Sequence, residues 1–257
     1  MKSGGRGVAL TRTEVPTLGE RQTTTPPGPR FVAAGRRGQA RHVRPADDVL
    51  SRTSDLEQAR REAGTCRRCS LWRDATQVVF GEGGIRARAM LVGEQPGDVE
   101  DEEGRPFVGP SGALLRELMA EAGLRERDLY LTNVVKHFKW RPQGTRRIHD
   151  TPSWSEVRAC DHWLRLELAS VHPELLVLLG GTAAQAVLGR SARVNTLRGS
   201  VLEPPELEVP VVVTLHPSAV LRAGERRRER RAELLEDLAL VRVRLGEHAK
   251  RKAASSR

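Results

Sequence analysis

Four short apolar runs punctuate the middle of the chain: Ala89-Met-Leu-Val92, Leu129-Tyr-Leu-Thr-Asn-Val-Val135, Leu175-Leu-Val-Leu-Leu179 and Val211-Val-Val-Thr-Leu215. They are nearly continuous rather than alternating, as strands covered on both faces are. Stretches with helical spacing lie at 111–122, 153–171 and 181–188, and a charged one at 226–245. Ser111 stands where a helix N-cap is expected, and Ser153 with Glu156 has the spacing of a capping box. Strand alternating with helix predicts an α/β fold: a three-layer αβα sandwich with a central four-stranded, mainly parallel sheet. No internal repeat is visible.

The polar departures from this pattern fall just after the strands. Gly93-Glu-Gln-Pro-Gly-Asp98 follows the first run, Lys136-His137 the second, Gly180-Gly-Thr182 the third and His216-Pro-Ser218 the fourth. Open parallel sheets bind ligands at the carboxyl ends of their strands. The pattern alone therefore brings four loops to one site.

Composition sets the outer limits. Residues 1–46 are rich in Gly, Pro, Thr and Arg without apolar periodicity and read as a disordered basic tail. The folded domain is expected at 47–245, and a second disordered basic tail at 246–257. No apolar run approaches the roughly 18–20 residues that span a bilayer, and the start lacks the apolar core of a secretory signal. A monomer in a reducing cytoplasm, with no membrane partner, is the expectation.

The net charge of +10 suggests nucleic acid until its distribution is examined. Residues 1–46 carry +7 and residues 222–257 carry +6, leaving −3 for 47–221. Overall basicity belongs to the ends. Within the acidic middle, however, 129–149 contains Lys136, Lys139, Arg141, Arg146 and Arg147 and no acid. A local basic loop is the better DNA signal. No Gly-rich dinucleotide or phosphate-loop pattern follows the first strand, which counts against nucleotide binding.

Three cysteines are too few for a disulfide framework, and Cys66-x-x-Cys69 has metal or redox spacing. Cys160 falls on the helix predicted at 153–171 and His137 ends the second strand. Three thiolates and an imidazole could hold zinc or an iron–sulfur cluster; spacing alone leans slightly to zinc.

Taken together the motifs resemble the iron–sulfur branch, family 4, of the uracil-DNA glycosylase superfamily. The resemblance is carried by Cys66-x-x-Cys69, Val79-Phe-Gly-Glu-Gly83, Gly93-Glu-Gln-Pro-Gly97, Arg105-Pro-Phe-Val-Gly109, Thr132-Asn-Val-Val-Lys136 and His216-Pro-Ser218, in family order over about residues 55–240. Family 4 enzymes generally carry a Cys just after the Asn-x-x-Lys segment, where this chain has His137. The longer loop that follows contains Arg146-Arg147-Ile148-His149. These two features, with Gln95, look like the UdgX subgroup, which becomes covalently joined to uracil-DNA. Thr145 departs from that subgroup's loop, which usually reads Lys-Arg-Arg-Ile-His.

The resemblance implies a 4Fe-4S cluster on Cys66, Cys69, His137 and Cys160, and uracil-containing DNA, including single strands, as the partner. It implies a flipped base stacked on Phe107 and read by Asn133, beside Gly93, with Ser218, Leu221 and Arg222 in the loop that meets the DNA. His216 would stabilise the departing base; Glu94 would stabilise the cationic sugar, or orient or deprotonate a neighbouring imidazole, with Gln95 placing a water or the base. His149 would be the nucleophile that captures the sugar in a single-turnover reaction, and Arg147 would hold its loop closed. The turnover alternative releases uracil and an abasic site. By residue type alone Phe107 reads as core, Asn133 as a strand-end polar group and His149 as an exposed loop histidine.

Overall fold

All four apolar runs form strands, and the computed structural model, which describes residue 1 and residues 45–255, sets them side by side. The expected tail at 1–46 falls almost wholly outside the described residues. In chain order the elements are α1 (Pro45–Ala63), β1 (Glu82–Gly83), β2 (Ala89–Gly93), α2 (Asp98–Glu103), α3 (Pro110–Glu121), β3 (Leu129–Asn133), β4 (Trp140–Gln143), β5 (Arg146–His149) and α4 (Trp154–Val171). Then follow β6 (Leu175–Leu179), α5 (Gly181–Leu188), α6 (Val194–Leu197), β7 (Val201–Leu202), β8 (Val211–Thr214), α7 (Pro217–Leu221) and α8 (Arg227–Ser255).

Among the described residues the main sheet has six strands in the order β1-β3-β2-β6-β8-β7. The four expected strands are its parallel centre, and every residue in them is buried. The two edges, β1 and β7, are two-residue antiparallel strands that the apolar pattern does not reveal, being too short to show a period. Strand alternation divides the core into two layers. Met90, Val92, Tyr130, Leu176, Leu178 and Val213 pack with Leu56, Ala59, Leu164 and Ala184 from α1, α4 and α5. Leu91, Leu129, Leu131, Val177 and Val212 pack with Leu115, Leu118, Val220, Leu234 and Leu238 from α3, α7 and α8. The result is the expected αβα sandwich.

Two local expectations change and one holds. Ser111 is not the N-cap of α3: Gly109 is, because Pro110 takes the first helical position, where its missing N–H costs nothing. The Ser153–Glu156 capping box forms as read. The charged helix runs on to Ser255, so the stretch 246–257 begins inside α8. No described helix is long and apolar enough to cross a membrane.

Candidate active site

The carboxyl ends of β2, β3, β6 and β8 open onto one cavity of about 870 Å³. That is inside the roughly 300–1,000 Å³ of small-molecule sites. Glu94, Gln95, Phe107, Asn133, His149, His216, Ser218 and Arg222 all line it.

Its floor is built around Gly93, the last residue of β2. A Cβ there would stand 2.4 Å from Asn133 Oδ1, 2.8 Å from Phe107 Cζ and 3.5 Å from His216 Nε2. Three side chains from three loops therefore converge on the space this glycine leaves open. Phe107 is buried and sits at φ 57°, a left-handed conformation a non-glycine residue adopts at a cost of order 1–3 kcal/mol. Gly112 permits that turn, since a Cβ there would fall 1.9 Å from the Phe107 carbonyl oxygen. Backbone strain of this kind clusters at active sites and ligand clamps.

His216 caps α7. The Ser218 backbone N–H donates to its Nδ1 at 3.2 Å, and Ser218 Oγ lies 2.8 Å from the same nitrogen. Nδ1 thus carries the lone pair and the ring proton sits on Nε2, facing the pocket. Burial, and then the nearby Arg222 and His149, push the ring's pKa down to about 4. The imidazole is a neutral donor throughout the physiological range. Gly180 lets the end of β8 approach: it adopts φ 91°, and a Cβ there would meet His216 Cβ at 2.9 Å.

The segment expected as a basic loop is a hairpin. β4 pairs with β5 in the register Trp140↔His149 and Gln143↔Arg146, closed by Gly144-Thr145 with Gly144 at φ 60°. Arg147 and His149 share one face of this ribbon with Trp140, and Arg141 and Arg146 take the other. Arg147 is bound to acids of α2, at 2.6 Å from Asp98, 2.7 Å from Asp101 and 3.3 Å from Glu102. Trp140 Nε1 donates to the Asp74 carbonyl at 2.9 Å.

Gln95 fastens the other end of the hairpin. Its amide nitrogen donates to the carbonyls of Lys139 at 3.1 Å and Asp150 at 3.0 Å, and its oxygen accepts from Lys139 N–H at 3.0 Å. These three bonds tie both ends of the amide to the hairpin backbone.

The apparent charge of 129–149 is also corrected. Lys136 is wholly buried and paired with Glu167 at 2.6 Å, while also donating to Thr132 Oγ1 and the Asn133 carbonyl. Lys139 lies 3.2 Å from Glu156. The linear segment lacks acids, but the fold supplies them. Of the five basic residues in this segment, Lys136, Lys139 and Arg147 are in ion pairs, while Arg141 and Arg146 are exposed.

At the cavity mouth His149 Nε2 lies 3.3 Å from Glu94 Oε1. The other Glu94 oxygen accepts a hydrogen bond from Thr182 Oγ1, at the start of α5. Leu221 does not line the cavity; it is half-buried against the α3–α8 core layer.

The three thiols lie apart from the cavity and form one neighbourhood. Cys66 accepts from Trp163 Nε1 at 3.2 Å, and Cys160 from the Lys136 backbone N–H at 3.2 Å. Burial pushes Cys160 up to about 12, with Cys69 and Cys66 adding to the rise. Burial also raises Cys69, against the Leu71 backbone N–H and with Cys66 adding. A cation would favour the thiolates that burial disfavours at Cys69 and Cys160, so the donor set suits a metal group. His137 is buried, which lowers its pKa, and the Asp101 carboxylate opposes that. Among the described residues no three His, Cys, Asp or Glu close together as ligands of a single ion would.

Thr182 was visible in the Gly180-Gly-Thr182 loop, but nothing in the sequence paired it with Glu94. The acids of α2 that hold Arg147 were equally hidden, because their partner lies 45 to 49 residues away.

Residues 80–239 match the family described as the uracil DNA glycosylase superfamily. The chain is 38% identical over 191 residues to a type-4 uracil-DNA glycosylase of Thermotoga maritima, covering 74% of this chain and 94% of that protein. It is 37% identical over 180 residues to that of Archaeoglobus fulgidus, covering 68% and 87%. It is 35% identical over 192 residues to that of Pyrobaculum aerophilum, covering 72% and 92%.

Proposed function

The chain belongs to the uracil-DNA glycosylase superfamily, and on that premise we propose that it excises uracil from DNA and that His149 captures the sugar in place of water. The type-4 relatives support the excision. The observation that carries the capture is His149 Nε2 at 3.3 Å from Glu94 Oε1, at the mouth of the cavity that holds Phe107, Asn133 and His216.

A uracil swung out of its strand stacks on Phe107. The Asn133 amide, which both donates and accepts, reads its pairing edge. When the C1′–N1 bond breaks, its electron pair goes to the base, and His216 donates its Nε2 hydrogen to the uracil oxygen where that charge collects. The sugar becomes cationic at C1′, and the Glu94 carboxylate stabilises it. The lone pair of neutral His149 then forms the Nε2–C1′ bond. The imidazolium so formed loses its Nδ1 proton and the uracil anion gains one. The balance is imidazole plus deoxyuridine giving glycosyl-imidazole plus uracil.

Arg147 and Gln95 serve this step indirectly, by fixing the two ends of the hairpin that presents His149. Ser218 orients His216, and Arg222, exposed at the rim, is placed to meet a phosphate. Leu221 serves as a wedge only by leaving its present packing. Cys66, Cys69 and Cys160, with His137 as fourth donor, are the proposed ligands of a 4Fe-4S cluster, which when bound would tether the residues after α1 and β3 to α4.

The second reading is turnover, in which water takes the sugar; the naming of the relatives as type-4 enzymes favours it. A labelled single strand containing uracil, incubated with the protein and run on a denaturing gel, separates the two. A heat-resistant shifted band that requires uracil supports capture. An abasic strand without that band supports turnover.

A further inference from the structure

The two oxygens of the Glu94 carboxylate face residues far apart in the chain. One oxygen faces His149 Nε2 at 3.3 Å. The other accepts from Thr182 Oγ1, 88 residues away. We propose that Thr182 is the positioning residue that fixes the Glu94 carboxylate, and thereby sets how often His149 rather than water captures the sugar. The proposal rests on the reading above that Glu94 faces the cationic sugar.

A glutamate held only through its stem turns about its last torsion, which has no strong preference. The oxygen that a cation meets is then set by whatever hydrogen bonds the group accepts. Here one donor is supplied, and it comes from a stiff side chain: β-branched Thr has few χ1 choices in a helix. The backbone beneath it is anchored as well. Gly180, just before α5, is held by the β8 backbone through its N–H on the Thr214 carbonyl at 2.9 Å. Ala183 and Ala184, just after Thr182, are fully buried in the core. The hydroxyl therefore leaves a rigid strand-to-helix turn and reaches across the cavity wall. No side chain caps α5, and the Thr182 hydroxyl donates to Glu94 instead.

The chemical consequence follows from charge. Two positive groups form beside Glu94, first the sugar at C1′ and then the imidazolium of His149. A fixed carboxylate needs no reorganisation to meet either. Released from Thr182, it can rotate and hydrate, weakening stabilisation of the cation and admitting a water beside C1′. Loss of the hydroxyl should therefore slow base departure and also divert product from trapped strand to free abasic strand.

The test measures single-turnover uracil release and the ratio of trapped to abasic strand for wild type, Thr182→Val, Thr182→Ser and Glu94→Ala, alone and combined with Thr182→Val. A hydrogen bond to a charged group corresponds to a loss of about tenfold to a hundredfold in rate. Thr182→Val should lose that much and shift the ratio toward abasic strand, and Thr182→Ser should recover most of both. In the Glu94→Ala background Thr182→Val should cost less than about twofold, since its effect runs through Glu94. Wild-type rate and ratio in Thr182→Val, or a full further loss in the Glu94→Ala background, would overturn the proposal. If wild type gives only abasic strand, the capture reading fails while the rate comparison still decides the role of Thr182.

Discussion

The guanidinium of Arg147, on the hairpin, lies 2.7 Å from the wholly buried carboxylate of Asp101. Asp101 also accepts from the Thr76 backbone N–H, so one buried acid joins α2, the segment before β1 and the hairpin. Removing the guanidinium should release the hairpin without unfolding the sheet. Arg147→Ala is expected to weaken it by about 2 kcal/mol, the range of a charged hydrogen bond. Amide exchange should then accelerate at Asp150, whose N–H donates to the Lys139 carbonyl, and remain slow in β2 and β6. Lys at this position should restore little, because it lacks the planar fork that meets several acids together.

Gly93 leaves room for Asn133, Phe107 and His216 to converge at the proposed base pocket by having no side chain. Gly93→Ala puts a methyl group 2.4 Å from Asn133 Oδ1 and 2.8 Å from Phe107 Cζ. The two groups must move, and a displacement of about 1 Å in a positioned group costs on the order of a hundredfold in rate. Uracil release measured under single turnover should fall by that order, with the hairpin's exchange pattern unchanged.

His216 makes stability depend on pH. Its folded pKa of about 4 lies below the ordinary value of 6.5, so the unfolded chain binds the proton first as pH falls. Stability from this group is complete above pH 6.5 and declines between pH 6.5 and 4. The loss is about 3 kcal/mol at most, from about 1.4 kcal/mol per pH unit, reduced by the ring's partial exposure at the cavity. Melting curves across this window should fall more steeply for wild type than for His216→Asn. Parallel curves would show that the ring is not held neutral.

Lys136 tests the buried pair. Lys136→Met leaves the Glu167 carboxylate with Thr132, Tyr130 and the Gly81 N–H but no cation. Breaking one side of such a pair costs about 3–5 kcal/mol. The double change with Glu167→Met should recover part of that, and not all, because Thr132 and Gly81 lose their acceptor. Calorimetric melting of the three proteins checks the order.

The sheet was legible because its central strands are buried on both faces and so are written as unbroken apolar runs. The convergence of four loops was legible for the same reason, since parallel strands put their carboxyl ends together. What the chain could not display was who pairs with whom. Lys136 and Arg147 look like a DNA-facing cluster in one dimension. Folded, one is sealed against Glu167 and the other against α2. Gln95 likewise reads as a site residue because it follows Glu94, but its amide is directed to the hairpin backbone. Thr182 carried no chemistry of its own until Glu94 was beside it.

His149 remains the residue on which the account turns, and the direct measurement is the fate of a uracil-containing strand with His149→Ser. In the proposed mechanism base departure depends on His216, Asn133 and Glu94, none of which this change removes. Wild type should yield a heat-resistant protein–DNA band, and His149→Ser should yield none while abasic strand accumulates and breaks on alkaline treatment. A shifted band of wild-type intensity from His149→Ser would contradict it.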